Sequence, residues 1–186
     1  MSIHKPSAIT TARLQLRPFQ AEDWREAHAY ASDPEVMQFM NFGPLSEDQS
    51  RDLTRNLAAS ADQYPQTAYS FAITLLSDSV LIGGCSLYRV GAPEGKAEML
   101  YLLNRRFWGC GYMSEAIRAL LRFGFDELEL QRIFGHCDLD NPASARVMEK
   151  AGMAREGVLR QERWIKDQWR DVIVYAAIAS DGTAGL

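Results

Sequence analysis

The chain has few cysteines, no long apolar run and no excess of basic residues, and each shortage removes a class of function. Cys85, Cys110 and Cys137 are odd in number and show no CxxC spacing. That argues against a disulfide framework and against a structural zinc, and no metal site is expected. No apolar stretch approaches the roughly 20 residues that span a bilayer. The opening segment, MSIHKPSAITTAR, lacks an apolar signal core, so a cytoplasmic protein is expected. Lys and Arg number 20 against 24 Asp and Glu, a net charge of −4. Such a balance does not suit a general binder of nucleic acid or of an anionic membrane. Internal repeats and low-complexity tracts are also missing. The tail from Ser180 to Leu186 is small and polar and is expected to fray.

What is present describes one ordinary globular domain. The 186 residues, 47% hydrophobic and 24% charged, can bury one sizeable core. Leu14 and Leu16 alternate with polar neighbours until Pro18 and predict a short strand. Ala21 to Ala31 carries Trp24, Ala27, His28 and Ala31 at helical spacing, and Asp33-Pro34 ends it. Ser46 followed by Gln49 is a capping-box pattern, opening a helix to about Ala61. Strands are predicted over Tyr69–Leu75, Val80–Tyr88 and Ala97–Leu103, with a bulge or close approach at Gly83-Gly84 and a loop from Gly91 to Gly95. A helix, a strand from Gln131 to Cys137, a second helix opened by Asn141-Pro142 and closed by Gly152, and two last strands around Lys166-Asp167 complete the chain. Strands dominate the first half and helix–strand alternation the second. That order predicts a single α/β or α+β domain with a mixed sheet.

The stretch from Tyr101 to Ala116, YLLNRRFWGCGYMSEA, organises the rest. It reads as a strand end, a loop with Gly109 and Gly111, and a helical pattern beginning immediately after Ser114. A helix start leaves free N–H groups and a positive dipole end, and glycines let a ligand approach them. Together these predict an anion site, most simply for the pyrophosphate of a nucleotide-like cofactor. Taken alone, short glycine motifs are weak evidence, and turn glycines would look the same.

With its neighbours the stretch resembles a known family. TARLQLRPF, SDPEVM, the loop WGCGYMSEA, LQRI, DNPASARVMEKAGM, EGVLR and DVIVYA, in that order, are similar to the GNAT superfamily of acetyl-CoA-dependent N-acetyltransferases, and within it to the RimJ/RimL branch. The resemblance covers nearly the whole chain. It implies one domain over 1–186, ordered from about 8 to 180, with a mostly antiparallel mixed sheet splayed between two strands and flanked by helices. It also implies a ternary-complex transfer of acetyl from acetyl-CoA to a primary amine, with a protein N-terminus as the leading acceptor. A polyamine, an aminoglycoside or an amino-acid-like toxin is the alternative. A non-catalytic acyl-CoA-binding module stays open as a rival, and some members pair through their final strands, so a homodimer is compatible. A dinucleotide-binding Rossmann domain is disfavoured, because the loop is not GxGxxG.

Residue by residue, the resemblance places the pantetheine beside the backbone of Tyr101, Leu102 and Leu103. The pyrophosphate would lie on the amides of Trp108, Gly109, Cys110, Gly111, Tyr112 and Met113. Met113 stands where the family has a small residue and could narrow the room there. Trp108 could cover the cofactor or the core. Asn141 suits both an N-cap and a pantetheine contact. The family's usual proton-donating Tyr is replaced by Met148, which leaves Ser144 as the acid for the thiolate. The base is open among Glu98, Glu162 and ordered water, because Arg163 stands where RimL-like proteins have Glu. His136 has no assigned role. Trp24, Phe39 and Phe42 would wall the acceptor groove, and Arg118, Arg122, Arg132 and Arg146 could reach the 3′-phosphate.

Overall fold

The computed structural model describes residues 7–91 and 95–181. Most of the expected Gly91–Gly95 loop, and the tail beyond 181, lie outside the described residues. Among the described residues, twelve strands and α-helices follow in order: β1 Ile9–Thr10, β2 Leu14–Pro18, α1 Trp24–Ala31, α2 Glu47–Ala59, β3 Ala68–Leu75, β4 Leu81–Arg89, β5 Lys96–Leu103, α3 Tyr112–Asp126, β6 Arg132–Asp138, α4 Pro142–Lys150, β7 Ala154–Ile165 and β8 Gln168–Ile178. The eight strands form one sheet in the order β1-β2-β3-β4-β5-β6-β8-β7. All neighbours are antiparallel except β5 and β6. The fold is the expected mixed, mostly antiparallel sheet. β1 was missed, since two residues carry no period.

Alternation along the strands divides the core between the two faces of the sheet. Phe71 and Ile73 of β3 join Leu87 of β4 and the stripe Met113, Ile117, Leu120 and Leu121 of α3. Ala72, between them, points to the other face, where Phe19, Ala27, Tyr30 and Met37 pack. Burying each large side chain contributes roughly 1.5–3 kcal/mol. The caps follow their local chemistry. Ser46 accepts from the Gln49 N–H at 3.3 Å while Gln49 accepts from the Ser46 N–H at 2.9 Å. Gly152 closes α4 at φ +89°.

At Gly83-Gly84 the close approach is what the structure shows, and the bulge lies one residue before it. The β3–β4 register shifts between Ile73 and Thr74, opposite Ile82. A Cβ on Gly83 would also stand 2.4 Å from the Leu102 carbonyl oxygen. β5 can therefore press close to β4 only because position 83 has no side chain.

On its other side β5 has little company. Its parallel ladder with β6 covers only Lys96↔Arg132, Ala97↔Ile133 and Glu98↔Phe134. Beyond Glu98 the two strands part.

Candidate functional site

A groove of about 970 Å³ occupies the opening between β5 and β6. It runs from the glycine loop, past the start of α4, to the segment around Phe39 and the far part of β7.

The loop end is an anion cradle. Gly109 and Gly111 have φ of +77° and +79°, the left-handed region that glycine enters without strain. Gly111 is the N-cap of α3, so the helix begins at Tyr112, earlier than the sequence period indicated. A glycine cap offers no side-chain signal of the Ser/Thr/Asp/Asn kind, which is why the start was misplaced. The first-turn N–H groups of Tyr112, Met113 and Ser114 have no partner within the helix, and the dipole's positive end lies there. Met113 does not narrow this space, because its side chain is buried in the core and leaves only its N–H at the loop. Trp108 fastens the loop: its indole Nε1–H donates to the Leu103 carbonyl at 2.9 Å.

Arg13 fastens it from the other side. Its Nε donates to Glu115 Oε2 at 2.7 Å, and one terminal nitrogen donates to the Cys110 carbonyl at 3.1 Å. The guanidinium also lies 4.4 Å above the Tyr112 ring. Burial would raise the Glu115 pKa, but hydrogen bonds from Thr11 and Arg13 outweigh it and hold the carboxyl below its ordinary range. The first turn of the helix thus carries a carboxylate neutralised by strand β2's flank, not one left facing the anion site.

Along the groove the β5 backbone is read from its register. The Asn104 N–H donates to the Ile82 carbonyl at 2.8 Å, so Leu103↔Gly83 is a pair without mutual bonds. Alternation then turns the peptide groups of Leu102 towards β4 and those of Tyr101 and Leu103 towards the opening. Of the three residues expected to offer backbone bonds, Leu102 is committed to the sheet.

Asn141 caps α4, its Oδ1 accepting from the Ser144 N–H at 3.0 Å; it lines the groove, and its Nδ2 bonds none of the described residues. Ser144 Oγ lies 2.7 Å from the Tyr101 hydroxyl, which also reaches the Ser144 carbonyl at 3.2 Å. Sequence reasoning used only the backbone of Tyr101 and missed this phenol. Burial pushes the phenol well above its ordinary pKa, against the lowering effect of the Ser144 bond. It is therefore neutral and can donate.

At the acceptor end, Glu98 and His136 meet. Glu98 Oε1 is 3.0 Å from His136 Nδ1, and Arg163 bonds the same oxygen. The hydrogen bond from His136, aided by the Arg163 charge, holds Glu98 below the usual carboxylate range despite burial. Arg163 also stands 3.0 Å from Nδ1. Nδ1 cannot donate to Glu98 and accept from Arg163 at once. A lone pair facing a carboxylate oxygen would be repelled, so Nδ1 carries the proton and Nε2 the lone pair. Glu162 stays exposed and takes no part in this cluster. A register break in β7 between Leu159 and Arg163, with Gln161 at φ +50°, aims Arg163 inward.

The outer walls differ from expectation in detail. Phe39 lines the groove, but Phe42 packs in the second core cluster and Trp24 lies under Arg25 and Arg51. Arg146 lines the groove, whereas Arg132 is paired with Glu156 at 2.6 Å and Arg118 donates to the Lys150 carbonyl at 2.7 Å. Lys166, in the β7–β8 turn, donates to the Met37 carbonyl at 2.8 Å and ties that turn to the segment after α1. No helix among the described residues is long and apolar enough to cross a membrane.

Comparison with known proteins agrees with this geometry. A family model for the acetyltransferase (GNAT) domain matches residues 13–154. The uncharacterized N-acetyltransferase YnaD of Bacillus subtilis (strain 168) is 32% identical over 174 residues, covering 93% of this chain and 98% of the relative. The ribosomal-protein-serine acetyltransferase of Escherichia coli (strain K12) is 32% identical over 130 residues, 70% of this chain and 73% of the relative. Among solved structures, an acetyltransferase of the GNAT family from Bacillus anthracis superposes with a TM-score of 0.83 at 30% identity, covering 94% of this chain and 99% of that one.

Proposed function

Because the chain belongs to the GNAT acetyltransferase family, we propose that it transfers acetyl from acetyl-CoA to the N-terminal amine of a protein, by direct attack in a ternary complex. The observation that carries this reading is the parting of β5 from β6 after Glu98, with an anion cradle at one end and a Glu–His pair at the other. Acetyl-CoA supplies an activated thioester. The groove's groups suit it: free amides at Gly109–Ser114 for the pyrophosphate, and the turned-out peptide groups of Tyr101 and the N–H of Leu103, with Asn141, for the arm.

The chain's own residues divide the proton work. Glu98, kept ionised, orients His136 and stabilises the charge it acquires when Nε2 takes a proton from the acceptor ammonium. Ser144, hydrogen-bonded to Tyr101, gives its proton to the departing thiolate and regains one through solvent as the attacking nitrogen loses its second proton. Glu162 serves at most as a wall of the acceptor end.

Thiol release measured across N-terminal peptides, polyamines and aminoglycosides tests the acceptor. Peptides should be the good substrates, and turnover confined to polyamines or aminoglycosides would replace this reading. Ser144→Ala should lower kcat about ten- to a hundredfold, most at low pH, because a thiol with a pKa of about 8.5 leaves unaided as thiolate once the pH exceeds it. Equal turnover at every pH would remove Ser144 from the mechanism. Arg13→Ala should raise KM for acetyl-CoA about tenfold with little change in kcat, since charge-assisted bonds of this kind are worth about 1.5–3 kcal/mol. Arg13→Lys should recover only part, having no fork for both Glu115 and Cys110.

A further inference from the structure

The charges at the acceptor end describe the acceptor. Apart from Glu162, which lines the groove from an exposed position, the acidic side chains nearby are already matched. Glu35 is held by Arg105 at 3.0 Å. Asp138 and Asp140 are each held by Arg170 at 2.7 Å. Arg163 pairs across the hairpin with Arg170 in register, yet their heads diverge: Arg170 turns to the aspartates and Arg163 into the groove. One guanidinium therefore faces the acceptor, and Glu98 is its only anionic partner among the described residues. The Arg163 side chain is 39% exposed, so part of its fork is open to a ligand.

An ammonium that gives its proton to His136 Nε2 arrives beside the Arg163 guanidinium, which stands 3.0 Å from Nδ1 of the same ring. Two cations this close repel each other, and a polycation makes this worse. An acceptor with its own anion beside the ammonium resolves the conflict. Its ammonium meets His136 Nε2 and its anion meets the open edge of Arg163, so the guanidinium faces an anion on both sides. The planar guanidinium fork matches a carboxylate or phosphate.

We infer that Arg163 selects acceptors carrying a carboxylate or phosphate next to the reactive amine, such as a protein N-terminus with an acidic side chain at its second residue, and disfavours polyamines. The inference rests on the acetyltransferase reading above. Arg163 touches neither the thioester nor the reacting nitrogen in this scheme, so it is a specificity residue.

The test is kcat/KM, by thiol release with acetyl-CoA, for peptides identical except at the second residue: Glu, phosphoserine, Gln or Lys. The wild-type enzyme should prefer Glu, phosphoserine or both over Lys by about ten- to a hundredfold, with Gln between, the range of one ionic hydrogen bond. Whether Glu or phosphoserine leads identifies the anion. Arg163→Glu should reverse the order, and Arg163→Gln should flatten it, which serves if the first variant folds poorly. Arg163→Lys should keep the order with a smaller spread. A flat or reversed wild-type series, or an order indifferent to Arg163→Glu, overturns the inference while leaving the acetyltransferase intact. Turnover of none of the peptides, nor of any other amine, overturns both.

Discussion

Replacing His136 by Gln is expected to lower kcat/KM by about 10²- to 10⁴-fold, the usual worth of a positioned general base. Glutamine keeps a donor towards Glu98 but has no lone pair with imidazole basicity. Glu98→Gln should cost nearly as much, because it removes the charge that selects the Nδ1–H tautomer and supports the protonated ring. The double variant should be little worse than either single one, as for groups that act as a unit. Independent, multiplying losses would mean that Glu98 and His136 work separately. The pH profile sharpens the test. Glu98 is held below the ordinary carboxylate range, so it stays charged as pH falls through that range. The acid limb of kcat/KM in the wild-type enzyme should therefore not fall where Glu98 titrates, below the ordinary carboxylate range. A limb below that range would make Glu98 the base and His136 a support.

The largest effect on stability should come from Phe71→Ala. Phe71 is fully buried between the sheet and α3, its ring 5.2 Å from that of Phe123 at an interplanar angle of 82°. Truncation leaves a cavity lined by β-strand residues that cannot collapse without breaking ladder bonds. A loss of about 3–5 kcal/mol follows from comparable core truncations. For a chain of this size that corresponds to a fall of roughly 6–20 °C in Tm. Urea or thermal unfolding would measure it. Acetyl-CoA affinity at low temperature should be nearly unchanged, since Phe71 does not line the groove. A loss below about 1 kcal/mol would mean that α3 repacks against the sheet more freely than this core allows.

The sequence made some of these features readable and concealed others for physical reasons. Signals that act within a few residues were legible. Asn141-Pro142 announced α4, Ser46 with Gln49 announced α2, and the β3 alternation fixed which residues enter the core. The cofactor loop was legible because its peptide groups and glycines are contiguous. The acceptor end was not. Glu98 and His136 are 38 residues apart and meet only because β5 and β6 are parallel, with Phe134 opposite Glu98 and His136 two residues further on. Nothing local marks the Tyr101 phenol as the neighbour of Ser144, 43 residues away. Arg163 was recognised as a departure from the family pattern, but its aim depends on a left-handed Gln161, a residue with no special preference for that region.

That irregular stretch of β7 has a second consequence. β7 is the outer strand of the sheet, twelve residues long, with one row of backbone donors and acceptors turned away from β8. A long regular edge of this kind is a template on which other chains add strands and aggregate. Here the ladder breaks between Arg155 and Gly157 and again between Leu159 and Arg163, and the second break is filled by Arg160, Gln161 and Glu162. An invading strand would find only short straight runs flanked by charge. The kink that directs Arg163 into the groove therefore also guards the exposed border of the sheet, and straightening it to alter selectivity should cost solubility.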